Sequence, residues 1–197
     1  MTLNILNGFD RSKHEVSLAL MKNEGVLLPQ VPTDVKILKM NKPSLYSVVP
    51  TLISYYKSGN YDVIYSTSSG MSIPLLLAGI LSRTKDVTTV VSERSSLERR
   101  RLGGFKNRVI FKLKCWLTSK ADFVVAVSDS LGEEVKKYTK VPSQKVIRAY
   151  NPVISPDIET LKKESIDNAL FNTSDHKLIA IGRLEKVKNF KLLIDAF

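Results

Sequence analysis

Cysteine is almost missing from this chain. Cys115 is the only one in 197 residues, which excludes an internal disulfide framework and is compatible with a reducing compartment. Histidine is nearly as scarce: His14 and His176 lie far apart, with no Cys or carboxylate spacing that would make a metal site. No apolar run reaches the length of a membrane span; the longest, "MSIPLLLAGIL" from Met71, is about half a span and holds a proline. The opening "MTLNILNGFDRSKHEV" lacks the charged-then-apolar pattern of a signal peptide. "TSSGMS" (Thr67 to Ser72) has a single glycine and falls short of a P-loop or a GxGxxG fingerprint. These absences leave a cytoplasmic protein, soluble or peripheral on the inner face of the plasma membrane, with no metal expected.

Acidic residues are also in short supply: 19 Asp and Glu stand against 30 Lys and Arg, a net charge of +11. The excess is local. Between Arg94 and Lys120 lie nine Lys or Arg and one acid, Glu98, so anionic partners are expected for that stretch and not for the chain at large. Within it, "FKNRVIFKLKCWLTSK" places apolar residues 109, 113, 116 and 117 at helical spacing among cations. Arg99, Arg100, Arg101, Lys106, Arg108, Lys112 and Lys114 form the candidate patch. Two readings are open: an amphipathic helix for an anionic membrane surface, or a core-facing helix with a solvated basic face. Nucleic acid is not expected, because no helix-turn-helix, zinc or RNP pattern accompanies the charge. Cys115 has no His or Asp placed to make it a nucleophile and reads as a packed thiol.

With 43% apolar residues a sizeable core is available. Strand-like runs recur: "EVSLAL" (Glu15 to Leu20), "DVKIL" (Asp34 to Leu38), "YDVIYST" (Tyr61 to Thr67), "VTTVVS" (Val87 to Ser92), "DFVVAVS" (Asp122 to Ser128), "KVIRAY" (Lys145 to Tyr150) and "HKLIAIG" (His176 to Gly182). Helical stretches fall between them, at about 44–58, 71–82, 104–119, 130–139 and 189–197, and a shorter one opens the chain with Leu3, Leu6 and Phe9. "SLGE" (Ser130 to Glu133) reads as a capping box. Several strands are rich in Val and Ile on both faces, as in a parallel sheet covered by helices. The alternation predicts a doubly wound, Rossmann-like α/β sheet. "NPVISPD" (Asn151 to Asp157), with two prolines, reads as a linker.

Three places carry candidate chemistry. "IAIGRLEKVKNF" puts Gly182 at a strand-to-helix turn beside Arg183 and Lys188. An Arg fork and a Lys charge suit phosphate oxygens, although a turn with two solvated cations has the same spacing. "SERSSL" follows a strand end, where α/β sheets place ligands. Glu93 there is suited to take a proton from a ligand hydroxyl, and Arg94 stands beside it; an exposed pair of opposite charges is the alternative. Ser128 ends "VVAVS" and either presents its hydroxyl to a ligand phosphate or caps a helix.

Taken together these segments resemble a known family. "IAIGRLEKVKNFKLLIDAF" resembles the opening of the C-terminal domain of GT-B glycosyltransferases of family 4, "ADFVVAVSDSLGEEV" and "VIRAYNPV" the last elements of their N-terminal domain and hinge, and "NILNGFDRSKHEVSLALMKNEG" the first helix and second strand. The resemblance implies an acceptor-side domain over 1–150 lacking its first strand, a hinge over 151–158 and the start of a donor-binding domain over 159–197. It implies a chain trimmed at both ends of the family's span. It further implies transfer of a sugar from a nucleotide-sugar donor to a glycan or lipid-linked glycan in surface-polysaccharide assembly, without a metal or other cofactor. Gly182, Arg183 and Lys188 would then hold the donor diphosphate; Glu93, Arg94 and Ser128 would lie on the acceptor side, at the place where family members often carry a histidine. The alternative is an inactive remnant or a basic membrane-surface module.

Overall fold

In the computed structural model, residues 1–98, 105–154, 157–171, 173 and 176–197 are described. They form two compact units, Met1–Val153 and Ile154–Phe197.

The first unit alternates helices and strands: α1 (Thr2–Asn7), β1 (Ser17–Leu20), β2 (Lys36–Lys39), α2 (Val49–Lys57), β3 (Val63–Ser66), α3 (Ser72–Ser82), β4 (Thr88–Glu93), α4 (Phe105–Thr118), β5 (Phe123–Ala126), α5 (Asp129–Thr139) and β6 (Val146–Arg148). All strand pairs are parallel. β3, β4, β5 and β6 lie side by side in sequence order, while β1 and β2 pair as a separate two-stranded sheet. Parallel neighbours require crossover helices, and right-handed crossovers advancing in one direction stack their helices on one face. Accordingly α2 packs on α3, α3 on α4 and α4 on α5. The expected α/β class with parallel strands is therefore present.

The core lies between this helical layer and the central strands. Val91 and Val124 from β4 and β5, Leu75, Leu76 and Ala78 from α3, and Leu117 from α4 are all buried. Along β4 and β5 the helix-facing residues Val91, Val124 and Ala126 are buried, while Val90 and Val125 between them are only partly covered. Tyr56 is buried beneath α3, where its hydroxyl shares a 2.7 Å hydrogen bond with Thr89. Gly79 allows that approach: a Cβ there would lie 3.2 Å from the Tyr56 oxygen.

α5 starts two residues earlier than the SLGE motif suggests. Ser128 is its N-cap, in an extended conformation, and its Oγ accepts the Leu131 N–H at 3.3 Å. Ser130 thus lies inside the first turn, and Glu133 pairs with Lys136 at 2.8 Å instead of closing a capping box. The helix ends on Lys140 in the left-handed region (φ 58°).

The second unit contains α6 (Asp157–Leu161) and α7 (Phe190–Ala196), with short 3-10 turns at Ala169–Phe171 and Lys186–Lys188. The strand expected over His176 to Gly182 carries no ladder. Its apolar alternation is right for a strand, but strands need a partner to satisfy their N–H and C=O groups, and no described residue of this unit supplies one. Ile181 is accordingly 92% exposed.

Candidate functional site

The carboxyl ends of β3, β4 and β5 bring polar side chains together. β4 ends on Glu93, which is fully buried. Its Oε2 accepts two hydrogen bonds, from Lys114 Nζ at 2.7 Å and from Ser69 Oγ at 3.2 Å. Lys114 projects inward from α4 and is only 3% exposed; Ser69 comes from the β3–α3 loop. Glu93 Oε1 is buried with no hydrogen-bond partner among the described residues. A buried carboxylate is tolerated only when paired and hydrogen-bonded, so Lys114 and Ser69 are what allow an acid at the end of a central strand.

This geometry corrects one expectation. Lys114 does not belong to the solvated basic face; it points into the protein and is committed to Glu93. Helical spacing carries the signal: Phe111, Lys114, Cys115 and Thr118 fall three and four positions apart and are all buried. Burial also pushes the Cys115 thiol up, opposed by the Lys114 charge and assisted by Glu93. A protonated, enclosed thiol is the packed side chain expected.

Arg94 is half-buried one residue beyond β4. Its Nε donates to Ser92 Oγ at 3.2 Å, and a terminal nitrogen lies 2.6 Å from the sulfur of Met1. Glu93 and Arg94, neighbours in sequence, therefore do not pair with each other: the strand pleat sends one inward and the other toward α1. α1 reaches the same end of the sheet, where Thr2 and Thr67 hydroxyls meet at 3.4 Å. Ser128, at the end of β5, acts as the N-cap of α5.

Two further groups at this end were missed in the sequence. The Glu134 carboxylate, from α5, accepts the backbone N–H of Leu97 at 2.6 Å and of Glu98 at 3.1 Å, tying down the segment after SER. Arg148, at the end of β6, donates to Asp129 at 3.2 Å and to the Tyr150 hydroxyl at 3.0 Å. The Asp129 charge beside it holds the guanidinium above its ordinary pKa. The first is a contact between elements 36 residues apart, which no local pattern reports. The second had a local signal in the R-x-Y spacing of "VIRAY".

In the second unit, Arg183 is exposed and pairs with Glu185 at 2.9 Å. Lys188 closes the 3-10 turn and lies against Gly182, where a Cβ would meet its Cδ at 3.5 Å. An open depression of about 430 Å³ is lined by Leu184, Glu185, Lys186, Asn189, Phe190 and Lys191. Arg183 and Lys188 are not among its walls.

Of the basic patch, Arg99, Arg100 and Arg101 lie outside the described residues, as does the side chain of Lys106. Arg108 and Lys112 are exposed on α4. Among the described residues no helix is long and apolar enough to cross a membrane, and no cluster of three His, Cys, Asp or Glu is arranged to hold a metal.

A parallel α/β sheet with polar groups gathered where its strands end defines a Rossmann-like class of protein, the architecture in which strand ends are the usual place for a ligand. The family model of Glycosyltransferase Family 4 matches residues 1–154, and the chain belongs to that family. No curated protein matches it.

Proposed function

We propose that the chain serves in transfer of a sugar from a nucleotide-sugar donor to a hydroxyl of a glycan or lipid-linked glycan acceptor, as in surface-polysaccharide assembly. Family membership over 1–154 is the observation that carries this reading. The cluster at the ends of β3, β4 and β5 supports it, because three successive loops converge there with hydroxyls, a guanidinium and a buried carboxylate. In this reading Arg94 and Ser128 face the acceptor. Glu93, enclosed and held by Lys114, positions the β4 end and leaves Oε1 as a spare acceptor for a hydroxyl that reaches it. Gly182, Arg183 and Lys188 take the donor diphosphate. Leaving-group charge would be neutralised by the Arg fork and the Lys ammonium, fixed donors of the kind that stabilise a developing anion.

Calorimetric titration of the chain with nucleotide diphosphates and their sugar conjugates tests the donor side. Arg183→Ala is expected to weaken binding by about tenfold to a hundredfold, the worth of a charge-assisted phosphate contact. Lys188→Ala should weaken it by less. Equal affinity of wild type and both variants would remove these residues from the donor site. Arg94→Ala is expected to leave donor binding unchanged while lowering transfer to a glycan acceptor; a loss of donor affinity with that variant would contradict its acceptor-side place.

A further inference from the structure

α4 has two faces with different tasks. Phe111, Lys114, Cys115, Leu117 and Thr118 are turned inward and buried. On the opposite side Val109, Leu113 and Trp116, spaced by four and three positions, form a stripe with Ile110 beside it; each is about half exposed. Three large aliphatics and the chain's single tryptophan thus stand in solvent on one helix surface. Arg108 and Lys112 flank the stripe and are exposed. Lys120 lies just past the helix end, with its Nζ 5.7 Å from the Trp116 ring. The helix sequence, FKNRVIFKLKCWLT, contains no acid. Lys114, the one described cation on this helix that is not exposed, is neutralised internally by Glu93, so the outer charge is wholly positive.

We propose that this outer face of α4 docks on an anionic lipid surface, with Val109, Ile110, Leu113 and Trp116 entering the headgroup–acyl boundary and Arg108, Lys112 and Lys120 meeting lipid phosphates. Charge and apolarity together select this partner. Cations without acids call for an anion. Nucleic acid would use the cations and a stacking aromatic, but it gives three aliphatic side chains nothing to bury against. A bilayer boundary takes both at once: aliphatics go below, the indole sits at the interface, and long cationic side chains reach up to the phosphates. At about 1.5 Å per residue a helix of 14 residues is about 21 Å long, too short for a hydrocarbon core of about 30 Å, so it lies in the surface plane. Docking stands independently of the sugar-transfer reading, since nothing in it requires a donor or an acceptor. If transfer holds as well, Lys114 links the two: the helix that rests on lipid also grips the carboxylate at the end of β4.

Trp116 makes the test direct, because all indole emission of the chain comes from that face. The full chain is mixed with vesicles of phosphatidylglycerol and phosphatidylcholine, or of phosphatidylcholine alone. Expected results are a blue shift of Trp116 emission and co-sedimentation that rise with the phosphatidylglycerol fraction and fall with salt, and quenching of Trp116 by brominated acyl chains. Arg108→Gln with Lys112→Gln should weaken partition about thirtyfold, at about fivefold per cation lost. Leu113→Ser should weaken it about tenfold and leave the salt dependence unchanged. Nucleotide-diphosphate binding by these variants should equal wild type, which separates failure of docking from failure of the donor-site reading. Unchanged emission at saturating lipid would overturn the proposal. So would binding to phosphatidylglycerol vesicles that neither variant weakens, or binding to duplex DNA with none to vesicles.

Discussion

Single buried side chains in the first unit give the sharpest physical consequences. Burial pushes the Tyr56 phenol up to about 12 from an ordinary value of 10.0; the bond to Thr89 works against this shift and the Asp122 charge adds to it. A group whose pKa is raised in the folded state favours folding fully below its unfolded value, and that contribution is lost as pH rises through the folded value. Tyr56 should therefore cost the protein about 2–3 kcal/mol of stability between pH 10 and about 12. The paired variant Tyr56→Phe with Thr89→Val removes phenol and partner together, leaving no orphaned hydroxyl. The denaturant midpoint of wild type should fall relative to that of this variant across that window; parallel curves would show that another group governs it. The Glu93–Lys114 pair predicts a different pattern. Lys114→Met leaves a buried carboxylate facing apolar atoms and should destabilise by about 3–5 kcal/mol, whereas adding Glu93→Gln should recover much of the loss. Additive effects in urea unfolding of the two single variants and the double would deny the coupling.

Helices and strands show where the sequence was legible and where it was not. The strands 63–66, 88–93, 123–126 and 146–148 fall on runs readable from Val and Ile content, because β-branched residues favour extended backbone and leave a signature that needs no knowledge of partners. The helix over 105–118 was equally visible, but its orientation was not: residues 109, 113, 116 and 117 looked like one stripe, and the structure turns Leu117 inward with the other three outward. Periodicity finds a stripe; only neighbours decide which stripe is covered. Lys114 was read with its basic neighbours for the same reason, since charge alone does not reveal that Glu93 waits across the interface. Cap positions failed more locally, as Ser128 and Ser130 both fit a cap and backbone geometry chose the first. At the far end of that helix, Lys140 adopts φ 58°, and Arg83 does the same after α3. A side chain in this region costs about 1 kcal/mol, which glycine avoids. Lys140→Gly should accordingly raise stability by about 0.5–1 kcal/mol despite the added freedom of the unfolded chain. A lower melting temperature for this variant would mean that the Lys140 side chain contributes more than its backbone costs.

At the scale of the whole chain the two units differ in what protects them. Residues 1–153 hold a continuous buried cluster running from Met40 to Val141. In the second unit Ile179, Ile181, Leu184, Ile194 and Phe197 are all exposed, and the apolar stretch before Gly182 has no ladder. Local stability follows buried apolar contacts and shielded backbone hydrogen bonds, so the units should open with very different free energies. Hydrogen exchange followed by mass spectrometry checks this directly. Amides of β4 and β5 should exchange only through global unfolding, at rates tracking the denaturant-derived stability. Those of residues 176–197 should exchange within a few-fold of the unstructured rate. A nucleotide diphosphate supplies an anion for Arg183 and Lys188, and a ligand that binds only an ordered state shifts the population toward it. Adding one should slow exchange between Gly182 and Phe190 while leaving β4 and β5 unchanged; the Arg183→Ala variant should need about tenfold to a hundredfold more ligand for the same slowing. Slow exchange over 176–197 without any ligand would show that this stretch is held by contacts other than those seen within its own unit. Ligand-induced slowing confined to β4 and β5 would move the diphosphate from the Arg183 turn to the strand ends around Arg94.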